Sequence, residues 1–309
     1  MRFSLWLYPY WRWGSIEAMG AAARRAEELG FSSISISDHT VCPVGPAAAG
    51  VTPVWYDWSV LTTYLAGWTE RARLVCCVVL PHRRLLPMAK QIATIDTLSG
   101  GRFTLVACAG WLRPEFEVLG VPFGERGAIT DEYLRAMKVL WTEDAPRFTG
   151  RYVSFSDIIF EPKCAQRPHV PIWIGGSGKR PLERVLELGD GWMPMGGDPD
   201  QKLAEVVART KADAKARGRD GDALEFRYTI EVGRRGSALA HLSEIVTSSS
   251  ETATVPRDSP DAAAEAISRL EAVGFTELAV NFGGDSAAEC LERLEWFAAE
   301  VIPLVGAGA

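Results

Sequence analysis

Several groups of residues in this chain have types and spacings that can do chemistry. Asp38-His39-Thr40 follows a run in which Ser and Ile alternate. An imidazole can donate, accept or relay a proton near neutral pH, and Asp38 beside it can orient it or meet a polar ligand edge. His39 is therefore the candidate proton-handling residue; His82, His169 and His241 have no such setting, or a weaker one. Gly175-Gly176-Ser177-Gly178 joins the apolar run Ile172-Trp173-Ile174 directly to a helical pattern. Free backbone N–H groups and the positive end of a helix dipole make such a junction an anion site, and glycines allow a phosphate close approach. The same glycines would also serve a tight turn with no ligand.

Trp6, Tyr8, Tyr10, Trp11 and Trp13 place five aromatic rings within eight residues. Such a cluster is a stacking wall for a flat ligand, or ordinary core and rim packing. Ala107-Cys108-Ala109-Gly110 leaves space before Trp111. Arg83 and Arg84 are either solvated or a grip for an anionic tail. No His-Glu-x-x-His spacing points to a metal site, and no Gly-x-Ser-x-Gly elbow points to a serine hydrolase. The six cysteines, at 42, 76, 77, 108, 164 and 290, form no Cys-x-x-Cys pair; several sit in apolar runs, as expected of buried thiols in a reducing cytoplasm. The net charge is −6 with no basic run, so nucleic acid is not an expected partner. There is no run of 18 apolar residues for a membrane span, and the N-terminal stretch is too short and aromatic for a signal peptide.

The elements that must position these groups alternate. Strands are expected at 3–7, 33–37, 74–80, 103–107, 172–174, 191–194, 225–232 and 278–281, with helices between them. Leu29-Gly30, Leu188-Gly189 and Val273-Gly274 mark helix ends, where glycine provides a left-handed cap. Continuous apolar strands imply burial on both faces, and eight strand–helix units in 309 residues predict an α/β fold, a (β/α)8 TIM barrel. One domain is expected over 1–309, with insertions at the C-terminal face near 108–170 and 233–258, the latter a long loop and a candidate lid. In such a barrel the loops after the strands carry the chemistry, which puts all the groups above at one end.

Together the motifs resemble the bacterial-luciferase-like superfamily of flavin- and deazaflavin-dependent oxidoreductases. The resemblance runs over nearly the whole chain. It is clearest in Ser37-Asp38-His39, in residues 89–102 (AKQIATIDTLSGGR), in Gly110-Trp111, and in residues 171–178 (PIWIGGSG) with Gly189-Asp190-Gly191-Trp192. It implies that Gly175, Gly176, Ser177 and Gly178 hold the phosphate of coenzyme F420 or of FMN, and that Asp38 and His39 lie near the redox ring. It also implies a non-proline cis peptide at Cys77–Val78 bulging against the ring, with Ala107, Cys108 and Gly110 beside it. Val106 and Cys108 depart from the family's glycines and would narrow the ring site. Trp111 replaces a catalytic Glu of the family's sugar-phosphate dehydrogenases, and Glu115 is not at the matching position. The implied activity is F420-dependent hydride transfer to or from a small organic substrate of apolar or aromatic character, held by Trp6, Tyr8, Trp11, Trp13 and Trp111. The alternatives are an FMN-dependent monooxygenase and a non-catalytic barrel with a narrowed cofactor site. A homodimer is the family's implied assembly.

Overall fold

The computed structural model describes residues 1–42, 44, 54–195, 201–233, 253–257, 259–284 and 286–305. Its strands are β1 (Arg2–Trp6), β2 (Ser33–Ser37), β3 (Arg73–Val79), β4 (Phe103–Cys108), β5 (Phe148–Thr149), β6 (Ser154–Phe155), β7 (Ile172–Gly175), β8 (Gly191–Met193), β9 (Glu225–Val232), β10 (Ala253–Val255) and β11 (Glu277–Asn281). Its α-helices are α1 (Ile16–Glu28), α2 (Trp58–Ala66), α3 (Leu85–Leu98), α4 (Arg113–Val118), α5 (Arg126–Thr142), α6 (Lys179–Leu188), α7 (Gln201–Ala216), α8 (Pro260–Val273) and α9 (Ala287–Trp296). Parallel pairing runs β11-β1-β2-β3-β4-β7-β8-β9 and closes from β9 to β11, an eight-stranded parallel (β/α)8 barrel. Strand β10 pairs with the upper half of β9, inside the span expected to be loop; β5 and β6 form a hairpin in the insertion after β4.

Side chains alternate across each strand. Leu5, Ile34, Ile36, Cys76, Val78, Leu105 and Ala107 point outward and are buried under the helices. The inward set differs: Ser4 and Trp6, Ser33, Ser35 and Ser37, Val75 and Cys77, Val106 and Cys108, Trp173 and Gly175, Met193, Arg227 and Thr229. Half of this interior is apolar, with Val75, Val106, Trp173 and Met193 in contact. The other half is polar: Arg227 pairs with Glu277, Glu277 accepts from Ser33 Oγ at 3.0 Å, and Arg227 donates to Ser35 Oγ at 2.6 Å. A buried guanidinium paired and hydrogen-bonded in this way avoids most of the desolvation penalty of a lone charge. Trp173 fills the lower interior, because Gly191 on the next strand has no side chain to collide with its ring.

The glycines at two helix ends behave as expected, Gly30 at φ +90° and Gly274 at φ +105°. Gly189 does not: its φ is −98°. A Cβ there would lie 2.8 Å from Ile174 Cγ1 and 3.2 Å from Val185 Cα, so this glycine serves close packing of α6 on β7 rather than a left-handed cap. The cis peptides among the described residues precede Pro9, Pro162 and Pro168. Cys77–Val78 is not one of them; β3 passes through it in unbroken register with β4, which a trans bond permits. Among the described residues no helix is long and apolar enough to cross a membrane.

Candidate active site

The strand ends open on a well. Its floor consists of the uppermost inward side chains: Trp6, Ser37, Cys77, Cys108 and Thr229 are partly exposed. One layer lower, Ser4, Ser35, Val75, Val106, Trp173 and Arg227 are all buried. The narrowing expected from strand four is therefore only half present. Val106 lies beneath the floor, in the apolar layer. Cys108 is in the floor, and Gly175 makes room for it, since a Cβ there would sit 2.6 Å from Cys108 Sγ. Val78 and Ala107, expected at the ring, have side chains on the outer face by strand parity.

One wall of the well is built after β2, β3 and β4. Asp38 is buried; Arg83 donates to its Oδ1 at 2.6 Å, and Val79 N–H to its Oδ2 at 3.4 Å. Arg83 also donates to Thr40 Oγ1, so it grips Asp38 and its loop; Arg84 is exposed at the start of α3. Burial pushes the Asp38 carboxyl up to about 6, against the lowering influence of Arg83, Val79 N–H and His39.

Helix α4 delivers the residue that the sequence reading set aside. Glu115 is fully buried and lies 2.7 Å from His39 Nδ1. Its other oxygen accepts from Thr40 N–H at 2.6 Å and Val41 N–H at 3.3 Å. Burial raises the Glu115 carboxyl, but the hydrogen bond and charge of His39, His82 and Thr40 N–H outweigh it and hold the group below its ordinary range. A carboxylate is an acceptor only, so His39 Nδ1 carries the proton and Nε2 is the basic nitrogen. The imidazole sits between Trp55, 4.6 Å away between ring centroids, and Trp111 at 6.1 Å.

His82 belongs to the same wall, contrary to expectation. Its Nδ1 is 3.5 Å from Glu115 Oε1 without hydrogen-bond geometry, and neither ring nitrogen has a partner among the described residues. The ring packs against Phe116 at 4.4 Å. Burial pushes its pKa down to about 4, so it is neutral at pH 7. His169 instead lies away from this wall, 2.7 Å from Val170 O, and His241 lies outside the described residues.

The aromatic cluster after β1 divides. Trp6 is partly exposed in the floor and donates to Ser37 Oγ at 3.2 Å. Tyr8 is buried, stacked between Trp6 and Trp55. Tyr10 is buried and locks β2, accepting from Ser37 N–H and donating to Ser37 O. Trp13 is buried in the outer core, donating to Leu7 O. These three are support rather than lining: Tyr8 is buried between two rings, and the polar atoms of Tyr10 and Trp13 are taken by backbone groups. The Trp11 side chain lies outside the described residues.

The opposite wall is the glycine loop. Gly176 and Gly178 have φ of +122° and +100°. Gly178 caps α6, whose first residues are Lys179 and Arg180, and it offers no side chain to the first-turn N–H groups. Ser177, Gly178 and Lys179 are exposed, and a Cβ at Gly178 would meet only open space. Gly176 is tied down by its N–H to Met193 O at 3.0 Å and by Trp192 Nε1 donating to its carbonyl at 2.8 Å. Ser177 Oγ exchanges hydrogen bonds with the Met195 backbone. The loop is thus braced while its exposed helix end, positive by dipole and by side chain, faces outward from the protein's own hydrogen bonds.

An open well at the strand ends, with an ordered imidazole–carboxylate pair on one wall and a helix N-terminus on the other, is the arrangement of an α/β-barrel enzyme site. The chain belongs to the luciferase-like monooxygenase family, whose model matches residues 7–235. It is 34% identical over 215 residues to an uncharacterized protein of Mycobacterium tuberculosis, covering 65% of this chain and 75% of that one. It is 30% identical over 181 residues to an FMNH2-dependent dimethylsulfone monooxygenase of Pseudomonas putida, covering 58% of this chain and 50% of the relative. The fold matches that of an F420-dependent secondary alcohol dehydrogenase solved with an F420–acetone adduct, with a TM-score of 0.78 at 18% identity over 98% of each chain.

Proposed function

We propose that this chain is a coenzyme F420-dependent oxidoreductase, moving a hydride between the deazaflavin and a carbon of a small organic substrate with apolar or aromatic surface. The observation that carries the reading is His39 at the rim of the well, its Nδ1 held by Glu115. Hydride transfer at a carbon bearing oxygen requires a proton to leave or reach that oxygen, and a positioned imidazole with Nε2 available is suited to this. When bound, the cofactor supplies the hydride chemistry. This chain's residues hold and shield it: the Gly175–Gly178 loop and the first turn of α6 take the phosphate, while Trp6, Cys77, Cys108 and Trp111 surround the ring and substrate. Gly110 at φ +83° turns the chain so that Trp111 can close over the mouth. The room that Gly175 gives Cys108, with Val106 below the floor, supports the fit of a planar ring. The family's homodimer is kept as part of this proposal.

The fold shared with the F420-dependent secondary alcohol dehydrogenase supports the deazaflavin reading. The second reading is an FMN-dependent monooxygenase, favoured by the similarity to the FMNH2-dependent dimethylsulfone monooxygenase of Pseudomonas putida. Titration of the purified protein with F420 and with FMN, following Tm, separates the two. A ligand at 100 times its Kd stabilises by about 2.7 kcal/mol, a shift easily measured. F420 is expected to raise Tm and, once bound, to be reduced by members of a panel of secondary alcohols. A shift with FMN alone would overturn the proposal.

A further inference from the structure

His82 is a buried titratable side chain of the first wall that the His39–Glu115 pair does not itself use. A local rule places it. Pro81 lies in a single 3-10 turn over Leu80–His82, directly after β3; Leu80 and Pro81 are buried, and the turn carries the imidazole inward. The His82 side chain is 1% exposed, and Phe116 on α4 packs edge-on against its ring. Neither ring nitrogen has a partner among the described residues, which is uncommon for a buried polar group. Its Nδ1 stands 3.5 Å from Glu115 Oε1. The Glu115 oxygens are otherwise occupied: Oε2 by His39 Nδ1 at 2.7 Å, and Oε1 by the Thr40 and Val41 N–H groups. One buried carboxylate therefore lies between two imidazoles, and only one of them is hydrogen-bonded to it. The fixed charge next in sequence, Arg83, is spent on Asp38 and Thr40 instead.

We propose that His82 is a positioning residue: an uncharged imidazole set against Glu115 Oε1 that reserves the carboxylate for His39. The inference rests on the proton-handling role given to His39 above. Coulomb attraction falls only as the inverse of distance, so a cation 3.5 Å from one Glu115 oxygen would compete with His39 at 2.7 Å from the other. Kept neutral, His82 excludes water from that side of Glu115 without dividing its charge. Protonated by solvent, it would become a second cation on the same carboxylate, and the hold on His39 Nδ1–H would weaken. No other bond changes in that step. Three charged or titratable groups act on His82: Glu115 from α4, Arg83 from its own segment and His39 from the segment after β2. Helix α5 also packs on the Leu80–His82 turn and adds no charged group to that set among the described residues. Burial, with Arg83 and His39, keeps His82 neutral against the opposite pull of Glu115.

The test is made first on cofactor-free, full-length protein carrying 15N-labelled histidine, so its outcome is separate from the F420 assignment. The chain has four histidines, and the hydrogen-bonded Nδ1–H proton of His39 is followed by NMR. His82→Arg places a permanent charge beside Glu115. It is expected to move that resonance upfield or abolish it at pH 7, and His82→Gln, polar but uncharged, is expected to retain it. An unchanged resonance in a folded His82→Arg protein overturns the proposal. The native protein and His82→Gln give the same test without a charged variant. As pH falls toward 4 the resonance is expected to fail first in the native protein, and identical pH courses in the two overturn the proposal. In single-turnover assays His82→Arg is expected to slow the reaction about tenfold with cofactor Kd unchanged, a part of the 10²–10⁴-fold that positioned proton transfer supplies. His82→Gln is expected to rescue that loss; equal rates in the two variants would show packing alone and overturn the positioning role.

Discussion

The two walls of the well are built on opposite plans. After β2, β3 and β4, the buried charged groups already have protein partners: Asp38 with Arg83, His39 with Glu115, and Glu115 also with the Thr40 and Val41 N–H groups. After β7, the loop is braced at Gly176 and Ser177 and Arg180 is held by Asp131, but the end of α6 has no side-chain cap and carries the exposed Lys179 where a helix favours anions. The first wall is preorganised, which suits a group that must hold one tautomer through a reaction. The second is left electrostatically incomplete, which suits a group that gains from an arriving anion. Chemistry and binding should therefore separate between the walls.

The sharpest test of that separation is His39→Ala. Loss of a positioned acid or base is expected to lower kcat by about 10²–10⁴-fold while leaving the cofactor Kd nearly unchanged. Stopped-flow single-turnover rates and a binding titration on the same preparation would show it; a large rise in Kd with kcat intact would merge the two walls into one.

Next in size is a pH effect confined to the first wall. His82, held near 4 by burial, is charged more readily in the unfolded chain, so it contributes stability above about pH 6.5 that is lost as pH falls toward 4. Asp38, held near 6, has the opposite sign: its buried charge costs stability above pH 6, and that cost is relieved as pH falls toward its ordinary 3.8. The two nearly cancel in the native protein. His82→Gln removes one of them, so the variant is expected to gain about 2 kcal/mol relative to the native protein between pH 7 and pH 5. Urea unfolding at those two pH values measures it, and parallel curves at both would show that His82 is not buried neutral.

Smaller still is Gly178→Val on the second wall. A β-branched residue at φ +100° is strained and sits over the free helix end. Cofactor Kd is expected to rise about tenfold, with the rate per bound cofactor unchanged; a fall in that rate instead would put the loop in the chemistry.

Much of this was legible in the sequence, for definite reasons. The alternation of Ser33–Ser37 located β2, and the junction after Ile174 located the glycine loop, because both are local patterns with a single geometric solution. Strand parity separated Cys77 from Val78 only once the register was known, since an apolar run buried on both faces carries no alternation. Glu115 and His82 were illegible for another reason. Glu115 meets His39 across 76 residues through a six-residue helix in an insertion, and such a short helix has no amphipathic repeat to announce its inward face. The signal that could have found it is Arg113-Pro114-Glu115: a proline opening a helix with an acid in its first turn, directly beyond a barrel strand.

Trp173 has a kinetic consequence. With its ring set against Gly191 and the buried layer of Ser4, Ser35, Val75, Val106 and Arg227 around it, the described residues close the barrel beneath the floor of the well. Whatever enters the well must leave by the same mouth. Occupants that stack one above the other are then bound in a fixed sequence and released in the reverse one, so the outer reactant traps the inner. Steady-state patterns of product inhibition should be ordered rather than random.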